Sequence, residues 1–165
     1  METVKDLGKV DSITLADYIL YKHGPMSHLK LQKLLYLIEG YHLAYFGQSL
    51  IDDEFEAWVH GPVSRKVYNS LKDKSKIYSD LGYELKEGNE LPDTMIARDL
   101  SSEQLSLVED VLELYKDESG MSLEYLTHQQ DPWINARRGI EPQSRCTTTI
   151  SKQDMVDYFR KFVDA

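Results

Sequence analysis

The sequence predicts a mainly α fold: a single compact helical domain of about six helices around a central buried helix, with a small antiparallel β element. Three observations predict it. Leu31, Leu34, Leu35, Ile38, Tyr41, His42 and Tyr45 recur at i, i+3, i+4, i+7, i+10, i+11 and i+14, and Leu29, Leu37, Leu43 and Ala44 add apolar surface on the other side. A helix apolar nearly all round belongs in the middle of a fold, covered by several neighbours. Phe55-Glu56-Ala57-Trp58-Val59 alternates and is aromatic and branched, the pattern of a short strand. Finally, 165 residues of which 41% are apolar suffice for one core without staples, so residues 1–165 are expected to form one domain.

The remaining elements follow from punctuation. Thr14 is expected to cap a first helix through about Lys22, burying Leu15, Tyr18 and Ile19, and Gly24-Pro25 stops it. Ser27 caps the central helix and Gly47 ends it. His60-Gly61-Pro62 turns the chain after the strand. Pro62 suits the first position of a helix running to about Lys72, with Val63, Val67 and Leu71 on one face. A second short strand is expected within 73–100, near Met95-Ile96-Ala97, pairing with 55–59. Ser101 with Gln104 forms a capping box, Leu105, Val108, Leu112 and Tyr115 follow at helical spacing, and Ser119-Gly120 ends that helix. Ser122 to His128 reads as a short helix, and Asp131 caps another carrying Pro132 and Trp133. Gly139 to Thr149 is loop-like, and Ser151 caps a final helix striped by Met155, Phe159 and Phe162.

Composition excludes several functions. The net charge of −9 is concentrated in residues 84–118, which carry −8. An acidic chain is a poor ligand for phosphate backbones, so no nucleic-acid partner is expected, whereas a basic protein surface would be steered toward it. Cys146 is the sole cysteine and supplies neither an internal disulfide nor a multi-cysteine metal site. No apolar stretch reaches membrane-spanning length and the N-terminal hexapeptide is no signal peptide, so a soluble, cytoplasmic protein with no membrane partner is expected. Eleven Tyr against four Phe favours core edges and interfaces.

The candidate chemistry is thin. His42 sits on the apolar face of the central helix and reads as a hydrogen-bonded core histidine, and no histidine pair has metal-helix spacing. Gln32-Lys33 interrupts the apolar run; it reads as a solvated strip with a snorkelling lysine stem, or, more sharply, as a charge partner. His60 beside a helix start could attend an anion, but no glycine-rich cradle accompanies it. His128 near Asp131 permits a hydrolase reading with His60, yet Ser144 and Cys146 lie in no nucleophile elbow. No metal and no cofactor is expected.

Three strings carry a resemblance: Leu29-Lys30-Leu31-Gln32-Lys33-Leu34-Leu35-Tyr36 followed by Gly40-Tyr41-His42-Leu43-Ala44; Trp58-Val59-His60-Gly61-Pro62-Val63 after Phe55-Glu56-Ala57; and Leu126-Thr127-His128 with Pro132-Trp133 and Ala136-Arg137. Together they resemble the Panacea domain, the SocA-like antitoxin family that includes phage-associated GepA-type proteins. The resemblance implies a non-enzymatic cytoplasmic antitoxin of a bacterial or prophage toxin–antitoxin system, whose partner is a cognate protein toxin neutralised by direct binding. In one branch the antitoxin is instead an adaptor that delivers the toxin to ClpXP through ClpX. The family supplies no catalytic residues, so the string positions Leu31 to Tyr36, Trp58, His60 to Val63, Thr127, His128, Pro132 and Trp133 are expected to be scaffold. For toxin contact, the carboxylates Glu103, Glu109, Asp110, Glu113 and Asp117, outward on the helix after Ser101, are the first candidates. Lys33, His60 and an aromatic rim of Tyr36 and Trp133 are the second.

Overall fold

Capping side chains set most helix starts in the computed structural model, which describes residues 7–73, 79–85 and 87–163. The N-terminal hexapeptide lies outside these residues. The Asp11 carboxylate accepts from the Ile13 and Thr14 amides and opens α1 (Ser12–His23), so the cap is Asp11 and not Thr14, which lies one turn inside. Strand β1 (Met26–Ser27) leads into α2 (His28–Phe46), whose first turn is closed by Ser27 Oγ accepting from the Lys30 amide. Both α2 boundaries fall where the sequence puts them.

After α2 the chain forms a hairpin, β2 (Phe55–Trp58) and β3 (Gly61–Ser64), and Phe55 lies opposite Ser64 while Trp58 lies opposite Gly61. This corrects two expectations. Pro62 sits in a strand, and helix α3 (Arg65–Leu71) begins three residues later under a Ser64 cap, which leaves Val63 on the hairpin. The partner of 55–59 is therefore 61–64. Met95-Ile96-Ala97 belongs to helix α4 (Pro92–Asp99), and the short strand within 73–100 is β4 (Asp80–Leu81), paired antiparallel with β1. Residues 148–150 extend the other edge of β2, with the Ala57 amide donating to Thr148 O and the Ile150 amide to Phe55 O.

Helix α5 (Ser102–Tyr115) carries the full capping box, Ser101 and Gln104 each bonding the other's backbone. Ser119 does not end α5. It caps α6 (Gly120–His128), accepting from the Ser122 amide. Helix α7 (Asp131–Ala136) is capped by Gln130 without a side-chain bond, so Asp131 stands in the first turn and not at the cap. Helix α8 (Lys152–Val163) starts under Ser151 Oγ, which accepts from the Asp154 amide. Eight helices are thus described where about six were expected; seven overlap helices read from the sequence, and the addition is the short α4, which lies where a strand was expected.

Helix α2 is the hub, packed by α1, α5, α6, α8, β1 and β3. Leu31, Leu34, Leu35, Leu37 and Ile38 are buried, whereas Tyr45, at the end of the apolar stripe, is 62% exposed. On α8, Met155 and Phe159 are buried while Phe162 is 53% exposed. The crossing of α2 and α8 depends on Gly40, where an added Cβ would stand 2.3 Å from the Phe159 ring. Among the described residues no helix is long and apolar enough to cross a membrane.

Candidate functional site

The family-like strings converge on the β2–β3 turn. Val59 and His60 keep negative φ, so the reversal a tight hairpin needs falls on Gly61, at φ 105°. A Cβ there would stand 2.4 Å from Lys33 Cε and 2.9 Å from Thr127 Oγ1, so α2 and α6 also demand glycine.

Four side chains then reach four carbonyls of this hairpin. Arg137 donates to Ala57 O at 2.8 Å, Trp133 Nε1 to Trp58 O at 2.8 Å, His128 Nε2 to Val59 O at 2.8 Å, and Lys33 Nζ to Pro62 O at 2.9 Å. The next carbonyl and amide, both of Ser64, are taken by Gln32, which donates to the one and accepts from the other. Arg137 also donates to Glu141, Pro142 and Ser144 carbonyls, so it ties the loop after α7 to the same hairpin. The Trp133 ring lies between His128, stacked at 4.2 Å, and the Arg137 guanidinium at 5.0 Å.

This placement corrects the reading of Gln32-Lys33. Both are fully buried, with no snorkelling stem, because the hairpin covers the face of α2 that sequence periodicity leaves open. Burial pushes the Lys33 amine down from its ordinary 10.5 to about 7, against the pull of Glu124. Tyr36 is likewise no rim residue: it is fully buried, edge-on to Phe55 and Phe159. Trp133, 9% exposed, points its nitrogen inward. Of the second group of candidate contacts only His60 reaches solvent, its side chain 45% exposed and bonded through Nδ1 to Glu124 at 2.9 Å.

A hydrolytic arrangement is not assembled. His128 is held on Val59 O and its basicity is lowered by burial, while Asp131 is exposed and lies 3.7 Å from Lys161. Thr127 Oγ1 donates back to Glu124 O, and Cys146 is buried. Among the described residues no three His, Cys, Asp or Glu side chains gather to hold a metal.

The acidic α5 face is more varied than its sequence. Glu103 and Asp110 are exposed, and Glu113, also exposed, pairs with Lys116 at 2.7 Å. Glu109 is half-buried and accepts from the Tyr18 hydroxyl, so it is only partly available to solvent; burial pushes its carboxyl up, with Asp110 and Glu113 adding to the shift.

Two buried polar side chains make long-range contacts that spacing along the sequence does not announce. Glu39 is fully buried on α2, accepting from the Leu50 amide at 2.7 Å and from Lys152 Nζ at 2.5 Å, and so fixes both the loop after α2 and the start of α8. Gln104 bonds the Gly8 backbone and donates to His42 Nε2, while His42 Nδ1 donates to Gln48 O. His42 is the hydrogen-bonded core histidine that its place on the apolar face predicts, with its basicity lowered by burial.

The family model for the SocA-like antitoxin, Panacea domain, matches residues 31–134. Antitoxin SocA of Caulobacter vibrioides (strain NA1000 / CB15N) is 41% identical over 68 residues, a match covering 39% of this chain and 36% of that protein. The chain thus aligns with only about a third of the curated relative's length. No solved structure matches. The matched span runs from the start of the α2 core through the hairpin to the α7 tryptophan that clamps it, and the chain belongs to the SocA-like antitoxin, Panacea-domain family.

Proposed function

We propose that this chain is an antitoxin that neutralises a cognate protein toxin by direct binding, without catalysis. The family match over residues 31–134 carries the reading. The geometry supports it: the residues of the family-like strings are engaged in holding a hairpin, and no nucleophile–base pair stands among them. A shared clamp with an acidic exterior suits a scaffold whose surface meets a basic partner. The test is co-expression with the product of the adjacent gene. Growth arrest relieved by this protein is expected, and arrest that persists at full expression overturns the reading.

A further inference from the structure

We propose that the cavity between the end of α1, the first turns of α2 and the end of α5 binds a small organic carboxylate, its oxygens held by His23, Lys30 and Lys116 and its apolar body lying on Met26, Leu34 and Leu112. The site goes beyond the antitoxin reading above and does not depend on it.

The cavity encloses about 260 Å³. Met26, Leu34 and Leu112 line it and are themselves buried, so they form the floor. An apolar cavity of about 150 Å³ accommodates a benzene ring, so this one has room for a ring and a short carboxylate arm. The polar lining stands around that floor: His23 in the last turn of α1, Lys30 in the first turn of α2, and Lys116 and Asp117 at the end of α5. An apolar bed with a few convergent polar groups is the composition of a small-molecule site.

The hydrogen bonds left open are donors. Lys30 Nζ donates to Lys116 O at 2.7 Å, and Lys116 Nζ to Glu113 at 2.7 Å. An ammonium has three N–H groups, so both keep donors that no described residue takes. His23 Nε2 is buried and has no hydrogen-bond partner among the described residues. In the tautomer with its proton on Nε2 it adds a third donor, and a buried polar atom without a partner is costly until an occupant bonds it. Three donors beside an apolar floor call for an acceptor with an apolar body.

The charges, counted with their partners, select a monoanion. Lys116 is closed by Glu113, and Asp117 stands against Lys30 and the neighbouring Lys22, which pair with no carboxylate among the described residues. Three cations against two carboxylates leave one positive charge. Burial lowers the basicity of His23, Glu113 opposes the fall, and Lys22, Lys30 and Lys116 deepen it, so the ring stands within the field of all three cations. A carboxylate matches that single excess, whereas Glu113 and Asp117 would repel a phosphate dianion.

The test titrates phenylacetate into the full chain and follows the His23 ring and leucine methyl resonances by NMR. Uncharged phenethyl alcohol and inorganic phosphate are the controls. Saturable shifts at His23, Leu34 and Leu112 with a Kd of about 1 mM or tighter are expected, weaker by about tenfold or more for the alcohol and absent for phosphate. Lys30→Met and Lys116→Met, both on the surface and compatible with folding, should each weaken phenylacetate by about fivefold or more. Lys161→Met, on α8 outside the cavity, should change it less than about twofold. Absence of saturable shifts, equal binding of acid and alcohol, phosphate binding as tightly, or lysine variants no weaker than Lys161→Met each overturn the site.

Discussion

Around the β2–β3 turn, Arg137, Trp133, His128 and Lys33 aim their donors inward at successive backbone carbonyls, whereas around the α1–α4 groove Asp17, Glu84 and Glu90 line a concavity at the surface. At the turn the Ala57, Trp58, Val59, Pro62 and Ser64 carbonyls each accept from a side chain. The groove is lined by Leu20, Leu71, Leu81 and Pro92 together with Asp17, Glu84 and Glu90, the last paired with Arg98. Alterations at the turn should therefore cost stability, whereas alterations of the exposed groove side chains should leave it nearly unchanged.

The largest effect is expected from Arg137→Ala. It strips a buried donor from four carbonyls at once, and leaving such groups unpaired should lower stability by about 3–5 kcal/mol in urea unfolding. A loss under about 1 kcal/mol would contradict a structural role for these hydrogen bonds. Next comes Gly61→Ala, which combines a positive φ with a Cβ 2.4 Å from Lys33 Cε and should cost about 2–4 kcal/mol in the same measurement.

Lys33 makes the stability of the turn depend on pH. Its folded amine is pushed down to about 7 against an ordinary 10.5, so between those values the unfolded chain holds the extra proton and stability rises with pH. The slope should approach about 1.4 kcal/mol per pH unit. Above about 10 the trend reverses, because burial raises the Tyr36 and Tyr115 hydroxyls and the unfolded chain ionises first. Lys33→Met should abolish the rise above neutrality. It should leave in place most of the loss of stability on acidification from about 6.5, because that loss comes chiefly from burial of His28, lowered to about 4, and of His23, His42 and His128, with the Lys33 charge adding a smaller push at His28 and His128. Melting curves across pH for the two proteins check this, and identical profiles would contradict the buried amine. The smallest effect is expected at the groove: Glu84→Lys should shift stability by less than about 0.5 kcal/mol.

Much of this frame is legible in sequence because it rests on local chemistry. Ser27, Ser101 with Gln104, and Ser151 are caps whose partners lie three residues away, and each does what its spacing says. The α2 stripe announces a buried helix by period alone. What is illegible depends on contacts far along the chain. Pro62 suits a helix start and a short strand equally well, and only the pairing with Phe55–Trp58 decides. Gln32 and Lys33 look like a wet strip until a hairpin some thirty residues later covers them. Strands β1 and β4 have two residues each, too few for any alternation. At the candidate contacts, Tyr36 and Glu109 read as surface because helical spacing shows a face without showing what packs on it. Glu39 is hidden for the opposite reason, a charge on an apolar helix whose counter-charge Lys152 lies on the last one.

Neutralisation by direct contact is tested most directly by the activity of the purified toxin titrated with this purified protein in the absence of any protease. Inhibition that saturates at a fixed stoichiometry, with the two proteins co-eluting in size exclusion, is the predicted result. Undiminished toxin activity and separate elution would contradict it, most sharply if the toxin's half-life in cells nevertheless falls when this protein is expressed.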